Sequence, residues 1–169
     1  MGNIQRINHT FSAIYNCESE ILILGSAPSV KSREAGFFYM HPQNRFWKTI
    51  SLVFKDDDFI SNDIKVKKKA LLKHKIALYD VIESCDISGS SDNSITNVEI
   101  AFDVINKILL DAKINKIVLA GNKAYKLFEK HKSGFNIPKN AKILPMPSTS
   151  PANATYKIEK LVENWSKII

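Results

Sequence analysis

The chain has 169 residues, 44% hydrophobic and 24% charged, with 24 Lys+Arg against 17 Asp+Glu, a net charge of +7 and a pI near 9.3. A chain of this length fits one domain, residues 1–169, and buries roughly 70% of its unfolded surface, so the core needs no metal or disulfide staple. Two cysteines, Cys17 and Cys85, with no CxxC pair, exclude a disulfide framework and any site needing four thiolates, while the basic balance favours an anionic partner such as nucleic acid or phosphate without identifying one.

Ile21-Leu22-Ile23-Leu24 is an apolar run ending at Gly25 and reads as a buried strand. Phe46, Trp47, Ile50, Val53 and Phe54 recur at helical spacing, which predicts a helix after Asn44. The basic stretch Lys65 to Lys75 reads as an exposed helix, Ile76 to Ile82 as the next strand, and Ser84 to Asn97 as a long polar loop. Ile100 to Leu110 is helical by its apolar spacing, and Lys116 to Ala120 is a buried strand closed by Gly121. A helix over Lys123 to His131, a fourth strand over Ala141 to Leu144 and a final helix over Asn153 to Ile169 complete the pattern. Alternating strands and helices predict an α/β fold, a three-layer α/β/α sandwich around a mostly parallel four-stranded sheet. The start, Met1 to Arg6, lacks the apolar core of a signal peptide, and Arg6 stands where a myristoylation motif wants Ser or Thr. No apolar stretch approaches the ~20 residues needed to cross a membrane, so a cytoplasmic monomer without membrane contact is expected.

In such sheets ligands bind beyond the carboxyl ends of the strands, and four unusual clusters follow those ends. The first is Gly25-Ser26-Ala27-Pro28-Ser29, a glycine turn that lets backbone approach a ligand or simply reverses tightly. After Gly36 it continues into Phe37-Phe38-Tyr39-Met40-His41-Pro42-Gln43-Asn44-Arg45-Phe46-Trp47, where aromatics offer either core packing or a base-stacking platform. Asn44 directly precedes the helical pattern, where Asn is a favoured N-cap, and His41 before Pro42 fits a loop hydrogen bond. Asp80 with Ser84, Cys85, Gly89, Ser90, Ser91 and Asp92 supplies carboxylates and hydroxyls, which equally suit a solvated loop with Asx turns. Gly121-Asn122-Lys123 puts an anion site, or an ordinary strand–turn–helix junction, at a helix start. Pro145-Met146-Pro147-Ser148-Thr149-Ser150-Pro151-Ala152-Asn153 is a stiff loop whose hydroxyls suit phosphates, with Asn153 placed to cap the last helix. No cluster has metal-ligand spacing.

Taken together, these clusters resemble the uracil-DNA glycosylase superfamily, most nearly its hypoxanthine (deoxyinosine) branch and next the mismatch-specific uracil/thymine branch. The most specific segments are His41 to Trp47 and Pro147 to Asn153, with Asp80 to Asp92 also similar to the hypoxanthine branch. The resemblance implies hydrolysis of the bond between a damaged base and its sugar in DNA, with no cofactor. It implies catalytic Asn44, holding water or the base edge, and Asp80, orienting water or steadying the sugar cation. Tyr39 would stack on the extruded base, and Gly25, Ser26, Ala27, Pro28, Ser29, His41 and Met146 would surround it. Asn122, Lys123, Pro147, Ser148, Thr149 and Ser150 would meet the DNA. Ala27 replaces the water-positioning Asn of the mismatch-specific branch, Ser29 replaces a Gly, and Met146 replaces the His or Asn of uracil-specific relatives. These departures favour hypoxanthine over uracil. A non-catalytic DNA-binding module of the same fold, or a small-nucleotide enzyme using Gly121-Asn122-Lys123, is the alternative.

Overall fold

The computed structural model describes residues 3–88 and 94–169. Gly89, Ser90, Ser91 and Asp92 of the second cluster lie outside the described residues. In chain order the strands are β1 (Ile4–Asn8), β2 (Ile21–Gly25), β3 (Ile76–Asp80), β4 (Ile82–Ser88), β5 (Thr96–Ile100), β6 (Lys116–Ala120) and β7 (Lys142–Met146). The α-helices are α1 (Val30–Ala35), α2 (Phe46–Phe54), α3 (Ile64–Lys73), α4 (Phe102–Asp111), α5 (Asn122–Lys130) and α6 (Ile158–Trp165).

A four-stranded sheet, ordered β3-β2-β6-β7 and parallel throughout, forms the centre of a three-layer α/β/α arrangement. Its inner strands read as continuous apolar runs because helices cover both faces, and Leu22, Ile23, Leu24, Ile117, Val118 and Leu119 are fully buried. The α2 helix buries Phe46, Trp47, Ile50 and Val53 along one face and ends at Lys55, whose φ of 55° breaks the helical path. In α3 the Asp63 side chain accepts from the N–H of Lys65 at 2.9 Å and caps the first turn.

The expected loop over Ser84 to Asn97 is corrected. β4 takes up its first five residues, Ser84 to Ser88, and β5 its last two, and β4 pairs antiparallel with both β1 and β5 in a second sheet, ordered β1-β4-β5. An antiparallel sheet tolerates a polar outward face, which disguised these strands. Ile7, Ile82, Cys85, Ile87 and Ile95 form an apolar cluster on one side. Arg6 on β1 donates to Asp86 Oδ1 at 3.2 Å, Ser84 Oγ at 2.8 Å and the Asn97 carbonyl at 2.8 Å. The helix expected from Ile100 begins at Phe102, because Ile100 pairs with Ile82. The tail is helical from Ile158 rather than Asn153, and α1 and β1 are additional elements.

The chain leaves the parallel sheet at Asp80, with Val81 N–H bonding the Gly25 carbonyl at 2.8 Å and Ile82 N–H the Ser26 carbonyl at 3.0 Å. Gly25 and Asp80 therefore end adjacent strands in register. No helix among the described residues is long and apolar enough to cross a membrane.

Candidate active site

A cavity of about 730 Å³ opens where β2, β3 and β6 end. On its floor, Asp80 is 4% exposed and its Oδ2 accepts the Nε2–H of His9 at 2.8 Å. The His9 ring is buried, stacks on Tyr79 at 4.2 Å, and lies tilted against Phe11 at 4.5 Å. Its backbone N–H bonds the Glu83 carbonyl at 2.8 Å, so the pair is pinned between the two sheets. Gly25 faces Asp80 closely: a Cβ there would lie 2.5 Å from Asp80 Oδ1 and 2.7 Å from the Tyr39 hydroxyl. Only a residue without a side chain permits that approach.

Tyr39 sits at φ 53°, and its ring stacks on Phe46 at 3.9 Å. Its hydroxyl is buried with no hydrogen-bond partner. Burial, and secondarily the charge of Asp80, pushes the Tyr39 hydroxyl well above the usual tyrosine range. It therefore keeps its proton at neutral pH and is a donor.

Asn44 is oriented by two donors. Its Oδ1 accepts the Phe46 backbone N–H at 2.9 Å and the Thr149 hydroxyl at 2.9 Å. The Phe46 N–H can only donate, so the amide oxygen must face it. Both oxygen lone pairs are thereby committed, and the group left for a ligand in the cavity is the Nδ2 amino group. His41 accepts the Gln43 backbone N–H at Nδ1, 3.1 Å away, which leaves its Nε2–H for the cavity.

Arg45 holds the opposite wall. Its guanidinium donates to the carbonyls of Thr149, Ser150, Asn153 and Tyr156. A planar fork meeting four carbonyls fixes the course of the loop after β7. Ser148 in that loop crosses Gly121, where a Cβ would meet Ser148 Cβ at 3.1 Å. Around the mouth lie Lys31, Arg33 and Lys123, and among the described residues neither Arg33 nor Lys123 pairs with a carboxylate. Ser29 Oγ accepts the Ser32 N–H at 3.2 Å and caps α1, which accounts for Ser at that position.

A family model for the uracil DNA glycosylase superfamily matches residues 13–168. The chain belongs to the uracil DNA glycosylase superfamily. It is a DNA N-glycosylase. It is 32% identical over 164 residues to the hypoxanthine DNA glycosylase of Methanosarcina acetivorans, covering 96% of this chain and 98% of that one. A hypoxanthine DNA glycosylase of Methanosarcina barkeri is 30% identical over 105 residues, 62% of this chain and 66% of that protein. A solution NMR structure of a candidate uracil DNA glycosylase from Methanosarcina acetivorans superposes with a TM-score of 0.74 at 28% identity, covering 94% of this chain and 93% of the other.

In this glycosylase, Gly25 to Ser29, Tyr39, His41, Asn44 and Asp80 converge on one cavity with Asn122, Lys123, Ser148, Thr149 and Ser150. Met146 and Pro147 are not brought to it. Met146 is packed in the main core at 7% exposure, and the Pro147 carbonyl accepts from Trp165 Nε1 at 3.0 Å. Thr149, expected on phosphate, is 2% exposed with its hydroxyl committed to Asn44. Sequence reasoning missed His9, the clamp formed by Arg45, and the apolar wall of Ile7, Ile87 and Ile95 against which Ala27 packs. A lone His beside a short polar strand carries no spacing signal, and Arg45 looked like one more basic residue in a basic chain.

Proposed function

We propose that this glycosylase flips hypoxanthine out of deoxyinosine-containing DNA and hydrolyses its bond to the sugar, acting on uracil more slowly or not at all. The observation that carries the reading is the fixed amide of Asn44, which turns Nδ2 toward the ligand. Breaking the glycosidic bond moves negative charge onto the departing base, and a preorganised donor aimed at that charge stabilises the transition state. Hypoxanthine presents a carbonyl oxygen where adenine presents an amino group, so a donor there accepts the deaminated base and opposes the normal one. His41 Nε2–H is a second donor of the same kind.

Flipping costs a few kcal/mol, least for a damaged or mispaired base. The Tyr39 face turned away from Phe46 stacks on the extruded base, and backbone from Ser26 to Ser29 meets its edge. Lys123, Asn122, Ser148 and Ser150 grip the flanking phosphates with Lys31 and Arg33. Among the described residues lining the cavity the carboxylate is Asp80, suited to the attacking water and to the cationic sugar. No lysine acts as nucleophile, so the product is an abasic site and the strand stays intact.

The test is free-base release from duplexes carrying one deoxyinosine or one deoxyuridine, with enzyme in excess. Hypoxanthine release faster than uracil release is expected. Fast uracil release without hypoxanthine overturns the substrate, and tight binding without release of either base makes the chain a non-catalytic module.

A further inference from the structure

Donors from Asn44 and His41 separate hypoxanthine from adenine, but they do not separate it from guanine. Guanine carries the same O6 and N1–H and differs only by an amino group in place of the C2–H. A glycosylase for hypoxanthine must leave guanine in place, so some other part of the cavity has to read C2. On a purine, C2 lies on the edge opposite O6, and a base whose O6 meets Asn44 turns C2 away from it. The second sheet supplies a wall of suitable chemistry. Alternation along β4 puts Cys85 and Ile87 on one face, with Ile7 of β1 opposite Cys85. Ser84 and Asp86 take the other face, where Arg6 bonds both. Ile7, Ile87 and Ile95 line the cavity, and Ala27 packs against them. None of these four side chains has a polar atom. The carbonyls of Gly25 and Ser26, in the loop that carries Ala27, already accept the N–H groups of Val81 and Ile82 at 2.8 and 3.0 Å.

Resting on the hypoxanthine reading, we propose that the wall of Ile7, Ile87, Ile95 and Ala27 is the specificity element that excludes guanine, by receiving C2–H and leaving a 2-amino group without an acceptor. A C2–H loses little on leaving water for an apolar surface. An amino group placed there gives up its hydrogen bonds to water and finds none in return, which is costly for a buried donor. The wall thus acts by penalising the wrong base, while Asn44 and His41 act by rewarding the right carbonyl, and both kinds of contact are needed for discrimination. Ala27 belongs to this wall. A carboxamide at that position would bring an acceptor within the apolar face, whereas a methyl group completes it.

The test measures single-turnover release of hypoxanthine, 2-methylhypoxanthine and guanine from duplexes that place each opposite thymine. Hypoxanthine and guanine form the same wobble pair with thymine, through O6 and N1–H, so the cost of flipping them is alike. Methyl and amino groups are similar in size, and the comparison at C2 therefore reads polarity. Wild type should release guanine at least about a hundredfold more slowly than hypoxanthine, the scale on which an apolar pocket rejects an added polar group. It should release 2-methylhypoxanthine at least about tenfold faster than guanine. Ile87→Thr and Ile87→Val, nearly equal in shape, then separate an added hydroxyl from added space, and Ile95→Thr and Ile95→Val repeat the comparison on the neighbouring side chain. At one or both positions the Thr variant should narrow the ratio of hypoxanthine to guanine release by about tenfold, while the Val variants keep the wild-type ratio. Guanine released as fast as hypoxanthine by wild type overturns the proposal. So do equally slow release of guanine and 2-methylhypoxanthine, and Val variants that narrow the ratio as much as Thr. The wild-type measurements stand even where a variant fails to fold. Wild type that releases uracil but no hypoxanthine rejects the hypoxanthine reading itself, a result distinct from any difference among the three purines.

Discussion

Gly121 shows how one residue sets the geometry of two segments. It ends the turn after β6 at φ 96°, where an L side chain is strained, and it stands against Ser148. Gly121→Ala should cost about 1–3 kcal/mol through backbone strain, read as a lower midpoint in urea unfolding. It should also weaken DNA binding, since its Cβ presses on Ser148. Such glycines were legible in the sequence, because a Gly after an apolar run marks a turn. Asn44 was legible as a residue but not in its orientation. That depends on Thr149, far along the chain, and on which of its atoms the Phe46 N–H occupies. His9 was not legible at all, since only the pairing of β1 with β4 brings it to Asp80.

Among elements, the parallel strands were readable from their continuous apolar runs, whereas the antiparallel sheet was hidden. Its strands carry few apolar residues, their polar outward side chains bond one another, and β1 pairs with a strand distant in the chain. The loop after β7 depends on α2, because Arg45 at the start of that helix binds four of the loop's carbonyls. Lysine lacks the planar fork, so Arg45→Lys leaves several of those carbonyls unpaired. The variant should lose about 2 kcal/mol and roughly 4–8 °C of Tm. Base release should fall further than stability explains, because Thr149 on the loosened loop no longer fixes the Asn44 amide. Thermal melting and single-turnover release on the same preparation check both outcomes.

For the molecule as a whole, a net charge of +7 contributes to DNA binding only where its charges are uncommitted. The basic stretch around α3 is partly committed: Lys67 donates to the Phe59 carbonyl at 2.7 Å, Lys73 pairs with Asp56 at 2.8 Å and Lys75 with Glu20 at 2.7 Å. Lys123 lines the cavity mouth without a carboxylate partner among the described residues. Log affinity for duplex DNA should fall linearly with log salt, and Lys123→Gln should reduce that slope by about one, while Lys69→Gln leaves it nearly unchanged. Equal effects at the two positions would place the DNA along α3 as well. The most direct test of the account is single-turnover hypoxanthine release from a deoxyinosine duplex by wild type and Asn44→Asp. Aspartate keeps the oxygen that receives Phe46 N–H and Thr149, but replaces the donor facing the base with an acceptor. Release should fall by at least about a hundredfold with DNA binding and melting near wild type. Release by Asn44→Asp at the wild-type rate would contradict it.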